Sequence, residues 1–223
     1  MAKLQTSQDV AARVPPGQVL TDKFPVLTYG PTPHFDPRIW DFKVVGLVEK
    51  PLRFTYEQFR ALPEPTEGYY ELHHGVPVFM TRPKHKHWAI QHQLLRTLVP
   101  LTTGRGMLGI EFSFRPLPEY QLWSADVAYV SQSRYDAIDP EDNLHGAPEL
   151  VIEVLSPSNT ASEINEREAI CLQNGGLEFW VVDPKRRTLK VSTPDRRTVA
   201  YIEGDTIPLT LPAPGELFVS QIF

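Results

Sequence analysis

The stretch Gly146-Ala-Pro-Glu-Leu-Val-Ile-Glu-Val-Leu-Ser-Pro-Ser158 decides the reading of this chain. Its centre, Leu150 to Leu155, is a short apolar run of the kind found in strands buried on both faces. Side chains alternate along a strand, so Leu150, Ile152 and Val154 share one face, and Val151, Glu153 and Leu155 the other. A carboxylate in so apolar a strand is costly unless it is paired or bound to a cation. Asp126-Val-Ala-Tyr-Val130 repeats the arrangement, with Asp126 heading an apolar run. Two acids carried by two apolar strands can converge on one hard cation through oxygen ligands. Either acid taken singly reads equally well as a carboxylate at a strand end, satisfied by backbone N–H groups.

Working outward, Tyr69–Leu72, His-His-Gly and Val76–Met80 form a hairpin pattern. Lys84 to Val99 carries Ile90, Leu94, Leu95, Leu98 and Val99 at helical spacing. Gly109–Arg115 alternates like a half-buried strand. Ala161 to Gln173 is predicted helical, with Asn174-Gly-Gly176 as its stop. Glu178–Val182 reads as another buried strand. Thr188–Ser192, Thr198–Ile202 and Ile207–Leu211 read as edge strands. The expected fold class is α/β, a mixed sheet flanked by helices, occupying residues 64–223.

Residues 1–63 form a proline-rich N-terminal arm. The chain of 223 residues has 22 prolines, about twice the usual ~5% share, and nine fall before residue 66. Each fixes φ and removes a donor, which excludes a long helix or a central sheet there. Within the arm, Asp41–Val48 is predicted as a short strand, and Thr55–Leu62 as a short helix with Thr55 as N-cap.

Hydrophobic residues make up 41% and charged residues 22% of the chain, an ordinary globular balance that argues against disorder throughout. The net charge is -5, so nucleic-acid binding would rest on a local basic patch. A single cysteine, Cys171, excludes a disulfide framework or a cysteine-based zinc site within one chain. No run reaches the roughly 18 apolar residues of a membrane span, and residues 1–18 lack an apolar leader segment. A reduced, cytoplasmic protein without a membrane anchor is expected.

The segments Gly68–Gly75, Ala125–Val130, Gly146–Ser158 and Glu178–Asp183, in that order, resemble the Uma-two family. That is a bacterial family of restriction-endonuclease-like proteins with the PD-(D/E)xK nuclease fold. The resemblance covers about residues 64–223 and is most specific around Glu153. It implies a magnesium-dependent endonuclease hydrolysing DNA phosphodiester bonds. Asp126 and Glu153 match the two metal carboxylates, the Val154 carbonyl a further metal ligand, and Glu71 a glutamate near the site. Dimerisation is also implied.

The resemblance breaks at one place. The usual E-x-K lysine falls at Leu155, and the family's alternative lysine, on the following helix, falls at Arg167. Lysine can shed a proton when buried; arginine cannot. Arg167 can hold a phosphate or stabilise transition-state charge through its planar fork, without acting as a base. The competing reading of Arg167 is a helix-surface residue paired with Glu163, four positions earlier. A nuclease fold that binds nucleic acid without cutting it is therefore the alternative function.

Two basic clusters stand out. Arg82-Pro-Lys-His-Lys-His87, with His92 and Arg96, could meet a nucleic-acid backbone. Lys185-Arg-Arg187, with Lys190, Arg196 and Arg197, reads as a solvated face. The histidines match no zinc spacing and read as turn and surface residues, although His87 and Gln91 share a helix face. Finally, residues 13–63 resemble the opening of sulfite-oxidase-like molybdopterin oxidoreductases. The match stops before any cofactor pocket, and Cys171 lies outside it, so a non-catalytic arm without molybdenum is expected.

Overall fold

The computed structural model describes residues 53–157 and 159–223, all within the unit Lys50–Phe223. The strand predicted over Asp41–Val48, like most of the proline-rich arm, lies outside the described residues.

Helix α1 (Tyr56–Arg60) opens on a capping box: the Thr55 hydroxyl accepts from the Gln58 N–H, and the Gln58 side chain accepts from the Thr55 N–H. The sequence reading put this segment in the arm, yet it is tied to the domain. The Phe54 N–H donates to Gly75 O and the Tyr56 N–H to Glu119 O. Hairpin strands β1 (Tyr69–His73) and β2 (Val76–Met80) follow. Their turn is His74-Gly75, both at positive φ, the geometry a two-residue hairpin loop requires. His73 therefore belongs to strand β1 rather than to the turn.

Helix α2 (His85–Leu98) buries Ile90, Gln91, Leu94 and Leu98 on one side. Strands β3 (Gly106–Arg115) and β4 (Trp123–Ser131) pair antiparallel. After a short helix α3 (Gln132–Tyr135) come β5 (Leu144–His145), β6 (Leu150–Val154), helix α4 (Ala161–Gln173), β7 (Glu178–Asp183), β8 (Thr188–Ser192) and β9 (Thr198–Ile202). These make a seven-stranded sheet in the order β5-β3-β4-β6-β7-β8-β9. Strands β6 and β7 are parallel, so they need a crossover, and α4 supplies it. Strands β10 (Thr206–Leu209) and β11 (Gly215–Phe218) form a separate ribbon. The edge strand predicted to reach Leu211 stops at Leu209, and β11 had no sequence signal strong enough to be seen.

Each sheet face has its own core. Ile90, Leu94 and Leu98 of α2 pack with Val127, Leu150, Ile152, Trp180 and Val182. Ile164 and Cys171 of α4 pack with Trp123, Ala125, Val151, Phe179 and Val181 on the other face. Full burial of each large apolar side chain contributes about 1.5–3 kcal/mol, so β6, buried along its whole length, anchors both layers.

One interruption positions the site. In β3, Leu108 and Ile110 pack on the α2 face, but Phe112 and Phe114 on the α4 face. In β4, Trp123 and Ala125 face α4, while Val127 and Tyr129 face α2. Both strands exchange faces at Glu111 and Asp126, though the register on either side is unbroken, with Ile110 opposite Val127 and Phe112 opposite Ala125. The cause is local: Glu111 has φ 51°, a left-handed conformation that costs a non-glycine residue about 1–2 kcal/mol.

At the β3 end a second ionic knot fixes α1. The buried Arg115 lies 3.6 Å over the Tyr56 ring and donates to Asp142 at 2.6 Å. Asp142 also accepts from the Asn143 N–H and contacts His145 Nε2 at 2.9 Å. Burial raises the Asp142 carboxyl, but the Asn143, His145 and Arg115 contacts win and hold it down at about 2. The carboxylate's stabilising contribution is thus full above its ordinary value near 3.8 and lost as pH falls through about 2. Asp142→Asn leaves a buried guanidinium unpaired and is expected to cost about 3 kcal/mol. Urea unfolding of both proteins at pH 7 and at pH 2 checks it, and the difference should shrink at the lower pH.

Candidate active site

Asp126 sits in the middle of β4, not at the head of a strand, because Trp123-Ser-Ala125 precedes it in the same ladder. Its Oδ2 accepts from the Val154 N–H at 2.6 Å and lies 3.2 Å from His87 Nε2. Its Oδ1 accepts from Gln91 Nε2 at 3.0 Å. The same Gln91 amide donates to Glu111 Oε1 at 2.6 Å, so one buried side chain ties the two carboxylates at the strand break. Burial and the Asp126 charge raise the Glu111 carboxyl despite that bond. Burial, then Glu71 and Glu111, raise the Tyr69 hydroxyl, which lies 3.5 Å from Glu111 Oε2.

His87 Nε2 is 2.9 Å from Val154 O. A carbonyl can only accept, so Nε2 carries a proton. Burial alone would depress the imidazole, but Asp126, and then the Val154 carbonyl, outweigh it and raise it. A single nitrogen thus stands within 3.2 Å of both the Asp126 carboxylate and the Val154 carbonyl.

Glu153 takes the α4 face with Val151, as strand alternation requires. Its neighbour there is Arg167, which the helix places at i+3 from Ile164 and i−4 from Cys171, on the buried stripe of α4. Arg167 Nε lies 3.4 Å from Glu153 Oε1, and Nη1 3.5 Å from Glu71 Oε2. Nη2 donates to Ser124 O at 2.9 Å, and the guanidinium carbon stands 5.1 Å over the Trp123 ring. Arg167 is 8% exposed, which removes the helix-surface reading. The carboxylate of Glu163 is engaged instead in capping α4 at Thr160.

Burial pushes the Glu153 carboxyl well above the ordinary range; Arg167 opposes this, and the Asp126 and Glu71 charges add to it. For Glu71, burial is outweighed by Arg167 and by His73 Nε2 at 2.7 Å, which hold the carboxyl low. Glu71 Oε1 also accepts from the Ser124 N–H. Burial against Arg167 leaves the Cys171 thiol raised, hence protonated and unreactive.

The fold thus brings Glu71, Asp126, Glu153, Val154 and Arg167 together, all singled out from sequence. It adds His87, Gln91, Glu111 and Tyr69. The signal for His87 and Gln91 was there: 87, 91, 94 and 98 form one helix stripe, and Leu94 and Leu98 are core. The left-handed Glu111 had no sequence signal.

Among the described residues no three His, Cys, Asp or Glu side chains form a ready metal cage. The Asp126 carboxylate lies against the strand that carries Glu153 and the Val154 carbonyl, and oxygens of these kinds are the ligands a small divalent cation takes. Glu153 Oε1 and Arg167 Nε are both buried without a hydrogen bond and stand 3.4 Å apart, so that oxygen meets the guanidinium as an ion-pair partner. No described helix is long and apolar enough to cross a membrane.

Comparison with known proteins agrees with this architecture. A structure described as "a putative nuclease belonging to DUF820 from Anabaena variabilis ATCC 29413" superposes with a TM-score of 0.64. It is 23% identical and covers 76% of this chain and 97% of its own, a likeness of fold. The "Uncharacterized oxidoreductase YuiH" of Bacillus subtilis (strain 168) is 41% identical over 56 residues. Those residues are 25% of this chain and only 28% of that protein. The profile of the Uma2 family, described as "Putative restriction endonuclease", matches residues 56–220, nearly three-quarters of the sequence. The match spans most of the chain and the mixed sheet agrees with it, so the chain belongs to the Uma2 family of restriction-endonuclease-like proteins.

Proposed function

We propose that this protein is a magnesium-dependent endonuclease that hydrolyses DNA phosphodiester bonds. The observation that carries it is the approach of the Asp126 carboxylate to the strand that bears Glu153 and the Val154 carbonyl, held there by the 2.6 Å bond from the Val154 N–H. Asp126, Glu153 and Val154 O would hold the cation. A bound magnesium ion would lower the pKa of its water, polarise the phosphodiester and neutralise developing charge.

The chain's own residues do the rest. Burial opposes the charge on the Arg167 guanidinium, but Glu153 and then Glu71 outweigh it and keep it charged, so its role would be electrostatic, stabilising charge that builds on the phosphate. Gln91 and His87 hold Asp126 in position. The fixed charge on Arg167 also favours a second reading, a nuclease fold that binds DNA without cutting it. The proline-rich front segment we take as a non-catalytic arm.

Plasmid cleavage in magnesium or manganese separates the two. The native protein is expected to cut, and Asp126→Ala to be inactive. A native protein that does not cut, with activity appearing in Arg167→Lys, would replace the first reading by the second.

A further inference from the structure

We propose that the outward face of α2 is a stacking platform for an unpaired nucleotide of a nucleic-acid strand, an inference that rests on the nuclease reading. The helix has two opposite stripes. Positions 87, 91, 94 and 98 face the site and the core. Positions 85, 88, 92 and 96 follow at helical spacing on the opposite side. Trp88 is 45% exposed there, and its ring lies 3.9 Å from that of His92, which supports the indole from one side. Trp88, His92, Leu95, Arg96, Val99 and Pro100 line an open groove of about 570 Å³, room enough for a planar base.

Charge selects the occupant. From Leu72 to Ile110 the sequence contains no Asp or Glu, in a chain whose net charge is -5. None of Arg82, Lys84, Lys86 and Arg96 is ion-paired with a described residue. In the tail cluster half of the six cations are neutralised: Arg186 pairs with Asp183, Arg187 with Glu203 and Arg197 with Asp195. Among the described residues, then, no acid takes up these cations, and phosphates can meet them. A second copy of this chain would set like charges against each other across a two-fold contact, which is unfavourable. An exposed indole among free cations is the combination that holds single strands, because every base has a π face. In a duplex those faces are covered, so an unpaired nucleotide is the better fit. A strand seated here would lie on the same helix that delivers His87 and Gln91 to the site.

The test is anisotropy of fluorescein-labelled oligothymidylate, and of a duplex of equal length, in EDTA. Trp88→Ala is expected to weaken oligothymidylate binding about tenfold or more, with the duplex little changed, and Trp88→Phe to retain most of the affinity. Unchanged oligothymidylate binding in Trp88→Ala, equal losses for both nucleic acids, or an altered sedimentation coefficient marking a self-interface would each overturn the platform. Cleavage assays on the same proteins keep the two readings apart. A protein that cuts but is indifferent to Trp88→Ala loses only the platform. One that binds through Trp88 and cuts nothing loses only hydrolysis.

Discussion

Arg167→Ala is expected to destabilise the protein by about 3–5 kcal/mol, the cost of breaking a buried ion pair from one side. The guanidinium pairs at 3.5 Å with Glu71, whose carboxyl is held low and charged, and lies 3.4 Å from Glu153, whose carboxyl burial pushes up. Alanine leaves both acids buried, removes the donor to Ser124 O, and opens space beside Trp123. Glu153, raised by burial, can take up a proton, whereas Glu71 stays charged with only His73 and the Ser124 N–H beside it, so Glu71 carries most of the cost. Arg167→Lys keeps the charge but cannot reach Glu71, Glu153 and Ser124 O at once, and should fall between. Urea denaturation at neutral pH reads all three proteins. A loss under about 1 kcal/mol in Arg167→Ala, the range of exposed pairs, would show that the cage is not ionic in the way described.

Asp126→Asn is expected to reduce magnesium-dependent cleavage by about 10³-fold or more. Metal-ion charge stabilisation supplies several kcal/mol at the transition state, and each 1.36 kcal/mol is tenfold in rate. Asparagine is close in shape and can still accept the Val154 N–H, but it sets an amide against Gln91 Nε2 and loses the charge beside His87, so some loss of stability is expected alongside. Single-turnover cleavage, measured beside thermal unfolding, distinguishes a lost ligand from a lost fold. An Asp126→Asn protein that cuts at the native rate would remove Asp126 from the chemistry.

Much of the fold was legible because it rests on periodicity. The α2 helix carries an apolar stripe at helical spacing, and α4 is marked by its Asn174-Gly-Gly176 stop. Strand β6 is apolar on both faces, and a carboxylate there is conspicuous. The site was legible to the same extent: Glu153 and Asp126 stand out because each breaks an apolar run, and Arg167 because it stands where a lysine was expected.

What stayed hidden depends on backbone geometry. Ile110, Phe112 and Phe114 read as one face of one strand, yet they divide between two cores because Glu111 adopts φ 51°. No residue type announces that break, and without it Glu111 is an ordinary polar position in an alternating pattern. Asp126 seemed to head its strand because the polar Ser124 interrupts the apolar pattern before it. His87 and Gln91 were misjudged for a different reason: polar residues at the buried end of a helix stripe look like its solvent end until the carboxylates they meet are known.

The most direct test of the account is calorimetric titration of manganese into the metal-free protein, with Asp126→Asn and Glu153→Gln beside it. Saturable binding by the native chain is expected, with a loss of affinity of tenfold or more in each variant. Native protein that binds no manganese, or variants that bind it as the native protein does, would contradict the claim that Asp126, Glu153 and the Val154 carbonyl form a cation site.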